Sequence, residues 1–302
     1  MVQSEFTGEP ADRAAMYARL WAGSTAKPYD EEREASVASR RFASVAPAIQ
    51  VHADRIGGPL RILDFGCADG HTAELILRLV TGHPIDYFGC DLYPLDATAE
   101  RMSKAGYTAA TSERGLAGMP DDWRDFDVVL ALSCFQYIRD SATTMAGLVR
   151  RIAPGGLFIG YFYDAPALRQ ATDEFLRGQY DTVGRAPEEL LAQLAPLAAL
   201  NCALRDALGD TFIDVPEDVP ELGISRGRVR LQQLLIDNIL FAWAPGGATR
   251  TRVQWALGEM LLTGPQVYLS AVEVHALLTE NRLVIDSLET GPSGHLVIAH
   301  RA

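Results

Sequence analysis

From Leu60 to Tyr163 the chain alternates short apolar runs with helical stretches, and this alternation constrains the fold more than any other feature. Successive parallel strands need long crossover connections, which are usually helices. The run Val128–Leu132 leaves no polar face, as expected of a strand that is covered on both sides. The pattern therefore predicts an α/β fold with a mostly parallel sheet.

The apolar runs and their breakers predict where the elements of this sheet begin and end. Strands are expected at 61–65, 85–90, 107–111, 126–132 and 157–163, and crossover helices at 71–80, 97–105 and 141–152. A later helix at 272–281 precedes strands at 283–289 and 295–300, which form a closing antiparallel hairpin. Together these segments predict a Rossmann-like sheet of seven strands that ends in an antiparallel strand.

Changes in the pattern of apolar and polar residues divide the chain into four regions. We expect an N-terminal helical flap over 1–59, an α/β core over 60–163, a helical lid over 164–265, and a C-terminal helix and strands over 266–302 that complete the sheet. Within the lid, helices are expected at 187–200 and 229–244, with a loop rich in Pro and Asp at 214–221 between them. Connections in α/β units need only ~2–6 residues, so this long insert is predicted to shape a substrate pocket.

The charge balance limits the class of partner. With 27 basic and 39 acidic side chains, the chain has a formal charge of −12, which repels nucleic-acid phosphates and anionic membranes. The four cysteines lack metal-ligand spacing and suit a reducing compartment, and no apolar run reaches the ~18 residues of a membrane span. We therefore expect a cytoplasmic protein with a small-molecule substrate and no nucleic-acid, membrane or metal partner. The oligomeric state stays open, a homodimer included.

Candidate site residues lie where the first predicted strand meets the first helix. Gly66 and Gly70 allow the backbone to approach a ligand, and Asp91, at the end of the second strand, suits ribose hydroxyls. A dinucleotide fingerprint would require glycine at positions 68 and 71, where the chain has Ala68 and His71. The position also lacks the Gly-Lys-Ser/Thr of a phosphate-binding loop.

Four segments in order resemble class I S-adenosylmethionine (SAM)-dependent methyltransferases of the small-molecule branch. The first is similar to the glycine-rich motif of that family, the second to its second-strand acid, the third to its fourth strand, and the fourth to the turn into its fifth strand. They are Ile62–Gly70, Cys90–Leu92, Phe126–Leu130 and Ile152–Phe158. The resemblance covers residues 60–163 and implies SAM as the cofactor.

The resemblance also implies a role for each matched position. The methionine end of SAM would lie against Asp64 and the turn Gly66, Cys67, Ala68 and Gly70. Asp91 would bind the ribose and Leu92 would pack on the adenine, while Ser112 or Glu113 would contact the adenine amino group; Ser133 and Cys134 would pass close to the cofactor. The family usually has glycine where this chain has Ala68, and alanine can fit there if φ is negative.

The reaction side of the site is predicted from the loops after the fourth and fifth strands. Phe135, Gln136 and Tyr137 are expected to face the reaction space. Tyr161 and Tyr163 end the fifth strand, where aromatic faces can stabilise a sulfonium or a cationic acceptor, whereas Phe162 is expected to pack in the core. The catalytic candidates are thus Gln136, Tyr137, Tyr161 and Tyr163. Neither His71 nor His275 is singled out as a general base.

These observations predict a SAM-dependent methyltransferase that acts on a small-molecule acceptor, in secondary metabolism. Three alternatives remain open. The enzyme can instead cyclise or cleave SAM and release methylthioadenosine, or the chain can be a SAM-binding module without catalysis. A capped-RNA methyltransferase is suggested by a likeness at Gly155–Gly160 but is disfavoured by the acidic charge.

Overall fold

The computed structural model of this protein describes twelve stretches of the chain. They are residues 42–92, 95–113, 115–132, 134–164, 187–208, 211–219, 226–231, 250, 253–254, 257–258, 267–291 and 294–302. They fall into two compact units, one with the described residues up to 164 and from 267 onward, and one with those between 187 and 258.

The first unit is an α/β unit. Its helices are α1 (Val45–Ile56), α2 (His71–Leu77), α3 (Asp96–Lys104), α4 (Ser141–Val149) and α6 (Ala271–Glu280). Its strands are β1 (Leu60–Phe65), β2 (Ile85–Cys90), β3 (Thr108–Ser112), β4 (Phe126–Leu132), β5 (Ile152–Tyr163), β8 (Leu283–Gly291) and β9 (Gly294–Arg301).

These seven strands form one sheet in the order β3-β2-β1-β4-β5-β9-β8. The pairs among β1 to β5 are parallel, and β9 runs antiparallel to both β5 and β8. The predicted class I methyltransferase architecture is therefore confirmed: a mostly parallel seven-stranded sheet with a C-terminal antiparallel strand. Because β1 and β2 pair in register from Leu60↔Ile85 to Phe65↔Cys90, their carboxyl ends lie side by side.

Apolar side chains on one face of the sheet meet α4 and α6. This cluster contains Phe158 and Phe162 of β5, Met145 of α4 and Leu278 of α6, all fully buried. The helix α6 begins at a capping box, in which Ser270 and Glu273 satisfy each other's backbone N–H groups. Burial of the apolar face, together with this cap, determines where α6 packs.

The structure changes one predicted boundary in this unit. We expected β5 to begin after a turn at Pro154–Gly156, but the strand already begins at Ile152. The β4–β5 register shifts there, from Phe126↔Ile152 to Val128↔Leu157, so the Pro-Gly-Gly segment is an irregularity within the strand rather than a turn before it.

The second unit contains α5 (Pro187–Leu208) and a two-stranded antiparallel sheet of β6 (Phe212–Val215) and β7 (Gly227–Arg230). The helix continues eight residues beyond its predicted end at 200, and it buries Leu190, Leu194 and Ala198 on one face. The helix predicted over 229–244 is wrong at its start, because Val229 pairs with Ile213 in a strand. The predicted loop at 214–221 likewise begins inside β6. Residues 232–244 of that prediction lie outside the described residues.

Among the described residues, no helix has the length and apolar character needed to cross a membrane.

Candidate active site

The turn that follows β1 is fastened to the end of β2. The backbone N–H groups of Gly66 and Cys67 donate to the carbonyl oxygen of Cys90, at 2.8 and 3.2 Å. The N–H of Gly70 then donates to the carbonyl of Cys67, and α2 begins at the next residue. Only five residues connect the end of β1 to the start of α2, and these hydrogen bonds hold that short connection rigidly. The result is a fixed loop at the carboxyl edge of the sheet.

Two glycines of this turn are required by both backbone and space. Gly66 has φ +72° and Gly70 has φ +74°, in the left-handed region that glycine enters without strain. A Cβ on Gly66 would overlap the Cβ of Cys134 and lie 3.1 Å from its Sγ, while one on Gly70 would lie 2.9 Å from Cγ2 of Thr98. The turn therefore packs against the segment after β4 and against α3.

Ala68 differs from its expected conformation. The condition under which alanine was expected to fit, a negative φ, is not met, because the residue has φ +47°. Its N–H donates to Oδ2 of Asp91 at 2.8 Å, and its carbonyl accepts from the hydroxyl of Thr98 at 2.7 Å. These two hydrogen bonds hold the alanine in a conformation that costs L-residues about 1–2 kcal/mol.

Asp91 is the second-strand acid, and it is buried. Its Oδ2 accepts from Ala68, and its Oδ1 accepts from the N–H of Leu92 at 2.7 Å. Its own N–H donates to the carbonyl of Ser112, so the backbone is fixed as well. Burial raises the pKa of this carboxyl group, and the two backbone hydrogen bonds oppose that rise. Each carboxylate oxygen keeps a lone pair that can accept a further hydrogen bond.

Asp64 lies near the end of β1 and is also buried. Its Oδ2 accepts a hydrogen bond from the hydroxyl of Tyr87 at 2.8 Å. The pKa of Asp64 is raised to about 7, mainly by burial; the Tyr87 hydrogen bond lowers it, and the carboxylates of Asp91 and Asp69 contribute to the rise. Two desolvated carboxyl groups thus lie at the carboxyl ends of adjacent strands.

The residues predicted for the adenine side lie on the β3 edge of the sheet. Ser112 ends β3, and its hydroxyl donates to the carbonyl of Gly118 at 3.4 Å. The carboxylate of Glu113 accepts from the N–H of Leu95 at 3.0 Å, and Leu92 is half-buried beside Asp91. The structure therefore brings these three residues to the same edge as Asp91. Ser133 lies outside the described residues.

The short 3₁₀ helix Phe135–Tyr137 follows β4 and holds two of the acceptor-side candidates. Gln136 is buried, and its backbone carbonyl accepts from the N–H of Val267 at 2.8 Å, while Tyr137 is half-buried. The prediction that Phe135 faces the reaction space is wrong. Its ring packs 4.9 Å from that of Phe162 within the apolar cluster.

The aromatic side chains at the end of β5 alternate between the two faces of the sheet. Tyr161 and Tyr163 lie on one face, with their rings edge-to-face at 5.2 Å, and Tyr161 also packs against Phe42 at 5.8 Å. Tyr161 is buried and Tyr163 half-buried. Phe162 points to the opposite face and is fully buried in the core, as expected.

A segment of the chain that includes the turn after β1 is similar to a known protein family. Residues 63–158, from β1 into β5, match the family model described as a methyltransferase domain. The likeness to methyltransferase domains is therefore confined to this segment. The match includes Asp64, the glycine turn and Asp91, and it agrees with the resemblance that these motifs carry.

Solved structures with an overall likeness include several methyltransferases. Magnesium protoporphyrin IX methyltransferase from Synechocystis is 11% identical, with 95% of this chain and 93% of that chain covered and a TM-score of 0.49. The N-methyltransferase NodS from Bradyrhizobium japonicum is 12% identical, with 96% and 99% covered and a TM-score of 0.47. The 1,6-didemethyltoxoflavin-N1-methyltransferase from Burkholderia thailandensis is 13% identical, with 98% and 94% covered and a TM-score of 0.43. No curated protein sequence matches the chain significantly.

SAM is the cofactor that the match to a methyltransferase domain indicates, and the residues present fit it. SAM carries a cationic amino group and two ribose hydroxyls, all of which donate hydrogen bonds. The two buried carboxyl groups of Asp64 and Asp91 offer acceptors at the carboxyl edge of the sheet, where ligands bind in open α/β folds. A buried carboxylate is costly unless it is paired, so these groups match a ligand with such donors.

Two residues of the first unit, Tyr87 and His295, were not found from sequence. Tyr87 holds Asp64, as described above. His295 is buried at the start of β9, where its Nε2 lies 3.2 Å from Oδ2 of Asp164 and its Nδ1 lies 3.0 Å from Oγ1 of Thr290. His295 could have been found from its place at the start of β9. Because β9 runs antiparallel to β5, its first residues lie beside the carboxyl end of β5, where ligands bind.

The histidines that we considered as bases have other surroundings. His71 is buried at the start of α2, with its Nδ1 3.3 Å from Nη1 of Arg101. His275 lies on the exposed face of α6.

Proposed function

We propose that this protein is a SAM-dependent methyltransferase that acts on a small-molecule acceptor. The observation that carries the proposal is the pair of buried carboxyl groups, Asp64 and Asp91, around a glycine turn within a methyltransferase domain. The turn is held by hydrogen bonds to the end of β2, so the ligand-facing backbone is organised before any ligand binds. Such preorganisation lowers the entropic cost of binding.

Each carboxyl group is assigned to one part of the cofactor. Asp91 accepts hydrogen bonds from the ribose hydroxyls, and Asp64 accepts one from the amino group of the methionine end. When bound, SAM supplies an electrophilic methyl group on its sulfonium. Leu92, Ser112 and Glu113 border the adenine, and the backbone of Gly66, Cys67, Ala68 and Gly70 forms the floor.

The acceptor side is assigned to Gln136, Tyr137, Tyr161 and Tyr163. Methyl transfer depends mainly on alignment of the acceptor atom with the methyl group, so these residues orient the acceptor and exclude water. The edge-to-face tyrosine pair offers aromatic faces that stabilise positive charge by about 0.5–2 kcal/mol. The formal charge of −12 favours a small molecule over a nucleic acid.

The cellular setting is part of the same proposal. The cysteines Cys67, Cys90, Cys134 and Cys202 are all thiols rather than disulfides, which supports action in the reducing cytoplasm. From the resemblance to small-molecule methyltransferases, we expect the reaction to belong to secondary metabolism.

The products formed from SAM test this function. Purified protein is incubated with SAM alone and with SAM plus a panel of phenols, amines and carboxylic acids, and the small molecules are analysed by mass spectrometry. We expect S-adenosylhomocysteine and a methylated product with at least one acceptor, and neither with Asp91→Ala. Accumulation of methylthioadenosine from SAM alone, above the Asp91→Ala control, would show that SAM is itself the substrate. Transfer to capped RNA but to no small molecule would overturn the assigned acceptor class.

A further inference from the structure

Tyr87 contacts the candidate cofactor site through its hydroxyl group, which meets Asp64 and the thiol of Cys67. The side chain is fully buried on β2, and its hydroxyl donates to Oδ2 of Asp64 at 2.8 Å. In the β1–β2 register Asp64 is opposite Gly89, two residues after Tyr87 and therefore on the same face of the sheet. The tyrosine thus reaches Asp64 diagonally across the strand pair.

Gly89 makes this diagonal contact possible. A Cβ at this position would lie 3.1 Å from Cε1 of Tyr87 and 3.3 Å from its hydroxyl oxygen, closer than ordinary van der Waals contact. Since glycine has no side chain, the phenol ring can occupy the space directly in front of Asp64. The pair Tyr87 and Gly89 therefore delivers one hydroxyl group to one carboxyl oxygen.

We propose that Tyr87 is a positioning residue: its hydroxyl fixes Oδ2 of Asp64 so that Oδ1 receives the amino group of the cofactor. The proposal rests on the proposed function, because it requires that SAM binds at this site. A buried carboxyl group that receives a hydrogen bond loses rotational freedom and favours its ionised form. Both effects prepare Asp64 for an ammonium group.

The surroundings of Asp64 give this role a signature in pH. Burial raises its pKa to about 7, and the Tyr87 hydrogen bond is the contribution that lowers it. The other titratable groups that face it are the carboxyl groups of Asp91 and Asp69, which raise its pKa, and the Cys67 thiol. Burial raises the pKa of both the Cys67 thiol and the Tyr87 phenol, so these two groups stay protonated through the neutral range.

Removal of the hydroxyl is therefore expected to raise the pKa of Asp64 above 7. A tenfold rise in proton affinity would reduce the ionised fraction at pH 7 about fivefold, and it would change little at pH 9. SAM binding to Tyr87→Phe is thus expected to be about fivefold weaker than wild type at pH 7, with a deficit that shrinks as pH rises. The ratio of the two dissociation constants cancels the titration of the ligand's own amino group.

The experiment is isothermal titration of wild type and Tyr87→Phe with SAM from pH 6 to pH 9, repeated with methylthioadenosine. Methylthioadenosine contains the adenine and ribose but no amino acid, so it reports on Asp91 and not on Asp64. We expect its affinity for the two proteins to agree within about twofold. Thermal unfolding of both proteins checks that the phenylalanine variant is folded.

Each outcome decides the inference. A pH-dependent deficit for SAM alone supports it. A deficit that methylthioadenosine shares, or the absence of any deficit for SAM, shows that Tyr87 serves only the packing of the sheet. Should Tyr87→Phe fail to fold, wild type alone decides, because its SAM affinity must then weaken below pH 7 more than its methylthioadenosine affinity. If wild type binds neither ligand, the proposed function fails, rather than the role of Tyr87.

Discussion

At the scale of single residues, the turn after β1 contains one strained position, Ala68. It has φ +47°, and its N–H and carbonyl are both engaged, by Asp91 and by Thr98. An L-residue in this conformation costs about 1–2 kcal/mol relative to glycine, which has no such penalty. The neighbouring hydrogen bonds outweigh this cost and keep the turn in a single form.

We therefore predict that Ala68→Gly stabilises the protein by about 0.5–1 kcal/mol, because relief of backbone strain exceeds the entropy that glycine adds to the unfolded chain. The free energy of unfolding is measured by urea denaturation. Ala99→Gly, the same change in the middle of α3, is the control and should destabilise by about 1 kcal/mol. Equal losses at both positions would contradict the assignment of strain to Ala68.

Single acids and glycines were predictable because their chemistry is local. Asp64, Gly66, Gly70 and Asp91 could be singled out from the strand ends on which they lie. Tyr87 could not, because its contact depends on the β1–β2 register and on the missing side chain of Gly89. The sign of φ at Ala68 could not be predicted either, since it follows from hydrogen bonds to residues 23 and 30 positions further along the chain.

At the scale of elements, the turn after β1 packs tightly against the segment after β4. Gly66 lies against Cys134, so the two loops are packed without room for one methyl group. This contact connects the floor of the cofactor site to the 3₁₀ helix Phe135–Tyr137, which carries acceptor-side candidates. The position of the acceptor side thus depends on a glycine in the cofactor turn.

Gly66→Ala is expected to destabilise the protein by at least about 2 kcal/mol, from a left-handed backbone and from overlap with Cys134. Gly155→Ala is the matched control, because Gly155 has the same φ of +72° and nothing within 4 Å of a Cβ. It should lose only the backbone contribution of about 1 kcal/mol. Urea denaturation of both variants separates the two costs. If the losses were the same, the loops would not be tightly packed.

Most elements of the sheet could be predicted to within one or two residues because apolar runs and breakers mark their ends. The strands β2 and β4 were predicted with their observed ends. In contrast, the irregular start of β5 was missed because a Pro-Gly-Gly sequence is a turn signal, and only pairing with β4 shows the strand to continue through it. The strands β6 and β7 were missed because each is four residues long.

At the scale of the whole molecule, the long insert leaves the sheet complete. All seven strands and every described candidate residue lie in the first unit. The N–H of Leu269 donates to the carbonyl of Tyr163 at 2.9 Å, so the chain leaves and re-enters this unit at neighbouring points. The lid and flap regions predicted from sequence stay predictions.

Replacement of residues 165–266 by a short Gly-Ser linker should therefore keep cofactor binding and abolish methyl transfer. The close approach of the two chain ends makes the entropic cost of the linker small. We expect the dissociation constant for SAM to change by about threefold at most, because the cofactor residues lie outside the insert. Circular dichroism verifies the fold. A folded deletion variant that no longer binds SAM would show that the insert forms part of the cofactor site.

The central claim is that the carboxyl edge of β1 and β2 binds SAM through Asp91, and calorimetric titration of SAM tests it most directly. Wild type is compared with Asp91→Ala and with Asp86→Ala, a half-buried acid near the opposite end of the same strand. Charge-assisted hydrogen bonds contribute about 1.5–3 kcal/mol, so Asp91→Ala should weaken binding at least about tenfold. Asp86→Ala should bind as wild type does. Unchanged affinity of Asp91→Ala would contradict the account and remove this acid from the site.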